Sequence, residues 1–196
     1  MLGLPSTTEV SLRLPKEAFY RNLRLDAKTR EQFVREVESI TVVNSIKPST
    51  ANIIDGKKIH EILVVAIQPR GKVVPEAVVR TISSANANGI VIVDLSTGSG
   101  GVVFGGKVYL AEHAELALRG RTLDDAWSSI LAQIVFGDDD GSNIEERIAH
   151  KEKAAALELE IAKLEEKARK EKQFHKKNEL ICRATHLKRG LGGNDD

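Results

Sequence analysis

The sequence predicts an α+β fold: a mixed sheet of about five short strands with flanking helices, extended by a long C-terminal helical, coiled-coil-like arm. Three observations carry this reading. Apolar, β-branched runs of strand length, "ITVVNSI", "STANII", "IHEILVVAIQ", "IVIVDL" and "VVFGGKVYLAEHA", recur between residues 40 and 114. Apolar residues at helical spacing precede, interrupt and follow those runs. From Leu157 onward, Ile161, Leu164 and Ala168 step by four, three and four residues, the spacing of a coiled-coil seam.

In chain order, Pro15 before "KEAFYRNL" opens a short first helix. Asp26 is an N-cap for a second helix, in which Phe33, Val34, Val37 and Ile40 share one face. The first three apolar runs follow, and the third ends at Pro69 and Gly71. Pro75 starts a helix carrying Val78, Val79 and Ile82, which Asn88-Gly89 closes. The turn "STGSGG" joins the last two strand runs. Thr122 and Asp125 form a capping-box pattern ahead of Trp127, Ile130, Leu131 and Ile134, a helix that should pack on the sheet. The expected organisation is a globular domain over 1–138, a linker over 139–143, a basic helical arm over 144–189 and a disordered tail over 190–196.

Composition bounds the function. At 196 residues, 41% hydrophobic and 29% charged, the chain has the make-up of one ordinary core plus an appendage. No apolar run approaches the roughly 20 residues that span a bilayer, and no signal peptide is expected at the N-terminus. A single cysteine, Cys182, excludes an internal disulfide and suits a reducing cytoplasm. The formal charge of +1 conceals an asymmetry, because residues 151–189 hold 12 basic and 7 acidic side chains. The basic character is local to the arm.

Within that arm the seam changes. Beyond Ala168 its next positions are Glu171, His175, Asn178 and Cys182, and a new apolar set, Leu180, Ala184, Leu187 and Leu191, resumes on another face. Such a slip marks a hinge, a stutter or a change of partner. Leu157, Ile161, Leu164, Ala168 and Phe174 are therefore read as packing residues for a partner helix. Arg169, Lys170, Lys172, Lys176, Lys177 and Arg183 are read as contacts for nucleic acid or an acidic partner. Arg169, Lys172 and Lys176 lie at i, i+3 and i+7, with Arg183 seven further on, and so are expected to form one ridge that follows a phosphate backbone. The competing reading is a solvated flank, since Glu165 and Glu166 sit four residues before Arg169 and Lys170. At 4% aromatics there is little for a base-stacking platform, so a nucleic-acid contact should read phosphates.

Other motifs fall short of their chemistry. "GVVFGGKV" at 101–108 has the spacing of a phosphate-binding loop, but Val108 stands where magnesium needs a hydroxyl, so a hairpin strand with a Gly bulge is expected. "DDDG" at 138–141 lacks the outer ligands of a calcium loop, with Phe136 and Arg147 in those positions. His175, Glu179, Cys182 and His186 share a helical face, yet only neighbours could reach one ion. No cofactor and no metal site is expected. The order helix, three strands, helix, strand also resembles a restriction-type nuclease core. There the nearest imitation of the acidic site is Asp55 with Gln68-Pro69-Arg70, which has Gln in place of a carboxylate and Arg in place of Lys.

Five stretches together, "MLGLPSTTEVSLRLPKEAFY", "VVNSIKPSTANI" before "HEILVVAIQ", "LRGRTLDDAWSSILAQI" and "KLEEKARKEKQFHKKNEL", resemble the bacterial family called domain of unknown function 4391. The resemblance runs from near Met1 to about Leu187. It supplies no activity and no catalytic residue. Members are often encoded near helicases and DNA methyltransferases of restriction-like defence loci, which implies a protein partner in such a complex. The expected function is a non-catalytic accessory or adaptor protein of a DNA-handling complex, docking through its C-terminal helix, with non-specific DNA contact and self-association through that helix as accompanying expectations. The alternative is a divergent nuclease-like enzyme.

Overall fold

The first apolar run that commits the chain to a sheet is β2 (Val37–Ile46), and the strands that follow build on it. The computed structural model describes residues 3–23, 25–71, 73–85, 88–113 and 115–192. Ahead of β2 come a 3₁₀ turn at Ser6–Thr8, β1 (Glu9–Leu14), α1 (Lys16–Asn22) and α2 (Ala27–Glu36). After it come α3 (Pro48–Ala51), β3 (Ile62–Pro69), α4 (Glu76–Ser84), β4 (Gly89–Asp94), β5 (Ser99–Phe104), β6 (Lys107–Ala111), α5 (Leu123–Val135), α6 (Ile144–Lys170) and α7 (Phe174–Gly192). The chain divides into two compact units, Met1–Ile144 and Glu145–Asp196.

The first unit is an α+β domain on one six-stranded mixed sheet in the order β1-β2-β3-β4-β5-β6. Only β3 and β4 run parallel, joined by the crossover that contains α4, and every other neighbouring pair is antiparallel. All six residues of β4 are buried, so both of its faces must be covered. Ile90 and Ile92 face a core shared with Phe33 of α2 and Val78, Val79 and Ile82 of α4. Gly89, Val91 and Val93 alternate to the opposite face. A Cβ added at Gly89 would lie 2.7 Å from the Trp127 ring, which places α5 on that second face and explains why the strand opens with glycine. Ala126, Ile130, Leu131 and Ile134 of α5 are buried.

Several predicted elements change, each for a local reason. α2 ends at Glu36, and Val37 and Ile40 belong to β2, because a β-branched run overrides the helical spacing that they happen to fit. "STANII" is not a strand. Pro48 opens the four-residue α3, and Asn52 at φ 51° ends it. "VVFGGKVYLAEHA" splits into β5 and β6 at Gly105-Gly106, whose φ values of 55° and 76° suit a two-residue hairpin turn. β1, not among the strand runs read from the sequence, pairs with β2. Buried Asn44 beside the β2 bulge donates to Thr8 Oγ1 at 2.8 Å, and Thr8 in turn donates to the Pro5 carbonyl at 2.7 Å. That satisfied polar pair fixes the approach to β1.

The Asp26 cap and the Thr122–Asp125 capping box both form. Asp124, one residue from that box, does further work across 65 residues of chain. Its carboxylate accepts from the backbone N–H groups of Lys57, Lys58 and Ile59 at 2.7, 3.1 and 2.8 Å. Burial pushes its carboxyl up, but those amides and the charge of Lys58 outweigh burial and hold it below the ordinary 3.8. Ile54 extends the clamp by accepting from Leu123 N and donating to Arg121 O.

Because the folded-state value of Asp124 is depressed, its contribution is fully present above 3.8 and is lost as pH falls through the lowered value. Asp124→Ala should destabilise the domain by about 1–2 kcal/mol near neutral pH, since three amides lose a charged acceptor. The deficit relative to the parent chain should shrink in strong acid. Urea titrations at several pH values would measure it, and a deficit that does not change with pH would refute the assignment.

Candidate functional site

The second unit consists of two helices whose contact rests on short side chains. Ile161, Leu164 and Ala168 of α6 are 6, 7 and 4% exposed. Ile161 and Leu164 pack with Ala184, Leu180 and Leu187 of α7, so the stripe predicted for a partner helix is occupied by the chain's own second helix. Leu157 is half-buried. Charges flank the seam, with Arg183 on Glu160 at 3.1 Å and Lys188 on Glu165 at 2.7 Å. Lys170 pairs with Glu166 one turn earlier on α6. Exposed pairs of this kind are worth fractions of a kcal/mol each, so they orient the helices more than they hold them.

A continuous helix over 144–189 does not form. The chain breaks at residues 171–173, where the coiled-coil spacing runs out of apolar residues. Glu171, His175 and Asn178 could not be buried at seam positions, and ending α6 lets the apolar set from Leu180 face it from a second helix. Local bonds close the break: Gln173 N donates to Glu171 Oε1 at 2.8 Å, and Lys177 N donates to the Gln173 carbonyl at 2.9 Å. Residues 190–192, predicted as tail, form the end of α7, and 193–196 lie outside the described residues.

The break redistributes the predicted basic contacts. Arg169, Lys172 and Lys176 do not make a helical ridge, because Arg169 lies in the last turn of α6, Lys172 lies in the break and Lys176 belongs to the first turn of α7. They gather instead around one turn, with Lys167, Lys170 and Lys177. Lys170 and Arg183 are engaged with Glu166 and Glu160. Among the described residues, Lys167, Lys172, Lys176 and Lys177 make no ion pair, and all four are exposed. Phe174, predicted to pack against a helix, sits at 79% exposure among them. Lys176 and Lys177 stand at the positive end of the α7 dipole, where cations are disfavoured and anions favoured.

Other predicted groups are held apart or serve the fold. Asp55 contacts His60 at 3.1 Å ahead of β3, whereas Gln68 lies at the far end of that strand. Gln68 lies six steps along the strand from Ile62, about 20 Å, so the acidic site imitated in the sequence is not assembled. Gln68 accepts from Ser39 Oγ, and Arg70 N donates to the Glu36 carbonyl. Asp139 pairs with Arg119 at 2.9 Å, and its carbonyl accepts from Ser129. His175, Glu179, Cys182 and His186 all lie on α7, and among the described residues no three His, Cys, Asp or Glu side chains converge as ligands. Among the described residues no helix is long and apolar enough to cross a membrane.

Sequence reasoning missed Asp94. It is 4% exposed at the C-terminal end of the central strand β4 and lines two hollows there. Its signal was a charged residue closing the otherwise apolar run "IVIVDL".

Sheet and helical unit together define the class: an α+β domain carrying a two-helix C-terminal unit with a cationic turn. The chain belongs to the family described as Domain of unknown function (DUF4391), which matches residues 2–98 and 100–190. No curated protein and no solved structure matches it.

The lowered carboxyl of Glu165 gives the second unit an acid limit. The hydrogen bond from Lys188 and its charge, with a smaller contribution from Arg169, hold it below 4.5 against the opposing effect of burial. Its stabilisation is present above 4.5 and lost as pH falls through the lowered value. Amide protection factors of residues 180–188, corrected for the intrinsic pH dependence of exchange, should therefore fall in acid, with Glu165→Gln showing the lower protection already at neutral pH. Equal protection in parent and variant at neutral pH would mean that the pair contributes nothing.

Proposed function

We propose that the protein is a non-catalytic accessory component of a nucleic-acid-handling complex, and that the turn between α6 and α7 is its contact with the phosphate backbone. The observation that carries this reading is an imbalance of charge. The acids Glu160, Glu165 and Glu166 are spent on Arg183, Lys188 and Lys170 inside the unit, while Lys167, Lys172, Lys176 and Lys177 are left around the turn without such partners among the described residues. A phosphate there would neutralise lysines and meet the positive end of α7 at once. Exposed Phe174 adds an apolar surface that can lie against sugar or an unstacked base. The family context of helicase and methyltransferase genes, implied by resemblance, supports the same assignment.

Duplex DNA binding should weaken linearly with log salt, and each phosphate neutralised adds about 0.9 to the slope. Changing Arg169, Lys172 and Lys176 together to Ala should reduce the slope by about 3 units. Arg183→Ala, which removes an engaged cation, should change it little. Titrations of labelled duplex at several salt concentrations measure both. Equal slopes for parent and triple variant would refute the contact, and magnesium-dependent cleavage of plasmid by the parent chain would favour the nuclease-like alternative.

A further inference from the structure

The first unit carries a second recognition feature, independent of the cationic turn. Asp94 ends β4 on the residue after Val93, which pairs with Ala66 in the C-terminal half of the parallel neighbour β3. One carboxylate oxygen, Oδ1, is taken by its own turn, accepting from Ser96 N at 2.9 Å and Ser96 Oγ at 2.6 Å. Among the described residues no cation pairs with this carboxylate, although the residue is only 4% exposed. A buried carboxylate without a counter-charge is costly, and such sites are stabilised when a cation arrives.

A cavity of about 500 Å³ opens against Asp94 on the α4 side of the sheet. Val73, Val79, Ile92 and Leu110 give it apolar walls, and exposed Glu112 adds a second carboxylate. Among the described lining residues there is no Lys, Arg or His. Apolar walls with a few placed polar groups characterise small-molecule sites, and here the charge of those groups selects the sign of the ligand. Phosphates and carboxylic acids would meet two like charges.

We propose that this cavity binds a small organic cation, an ammonium group on an apolar chain or ring. The ammonium donates to Asp94 Oδ2, which Ser96 leaves available, and the apolar body lies against Val79, Ile92 and Leu110. Glu112 adds attraction from the solvent side. Gly100 and Gly101 also line the cavity, and the absence of a side chain at Gly101 lets Leu110 pack over it, where an added Cβ would lie 2.8 Å from Leu110 Cδ2.

Three probes of equal chain length separate charge recognition from simple apolar filling: n-hexylamine, n-hexanol and hexanoate, each titrated into the full chain with two-dimensional amide NMR as readout. Hexylamine should bind saturably and shift the Ser96 amide, with hexanol and hexanoate about tenfold weaker or more. Asp94→Asn should abolish the preference for amine over alcohol, and Glu112→Gln, at an exposed position, should reduce it less. Lys176→Ala should leave it unchanged. Should Asp94→Asn fail to fold, the parent chain still decides through the amine-to-alcohol ratio and the Ser96 shift. Equal binding of amine and alcohol, hexanoate as the preferred probe, or no saturable binding of amine would each overturn the assignment.

Discussion

The parallel pairing of β3 with β4 is the constraint on which the first unit depends. A parallel neighbour cannot be reached by a tight turn, so the chain must cross over the sheet, and α4 is that crossover. The pair then lies in the middle of the sheet, with antiparallel strands added outward on both sides to the edges β1 and β6. Central strands have no solvent face, which is why Val64 and Val91 are fully buried and β4 is apolar until its last residue. Two helical layers follow from that burial. α4, with α2, covers the Ile90 and Ile92 side, and α5 covers the Gly89, Val91 and Val93 side.

The same pairing locates the polar groups. Strand ends are where buried backbone meets water, and Asp94 falls at such an end, held by the turn that reverses the chain into β5. Asp124 solves a different problem. The long connection from α3 to β3 has no ladder of its own, and its amides find an acceptor in the first turn of α5, which also welcomes negative charge. A carboxylate thus substitutes for a strand partner.

The second unit obeys local rules. Its seam is narrow, built on Ile161, Leu164, Ala184 and their neighbours, and it cannot continue through Glu171, His175 and Asn178. Breaking the helix converts a seam that changes face into two faces that meet. The consequence is that cations spread along 11 residues of sequence, from Lys167 to Lys177, are collected around one turn. Charge density there is a product of the break and not of helical periodicity.

Most of the class and much of the order of elements were legible in the sequence, because caps and strand runs act locally. Asp26 and Thr122–Asp125 announce their helices through side chains that bond within three residues, and "IHEILVVAIQ" and "IVIVDL" announce buried strands by having no polar face. Gly105-Gly106 was read as a bulge within one strand and is instead the turn between β5 and β6, because positive φ at glycine suits either feature. Tertiary structure decided the rest. β1 is strand because β2 offers it an edge and Thr8 meets Asn44, neither of which its own residues reveal. Val37 and Ile40 fit helix and strand patterns equally, and pairing with β3 selected strand. The placement of Asp94 beside a cavity depends on contacts between residues far apart in sequence, and that of Lys172 and Lys176 around a turn on α7 packing back against α6, neither of which periodicity encodes.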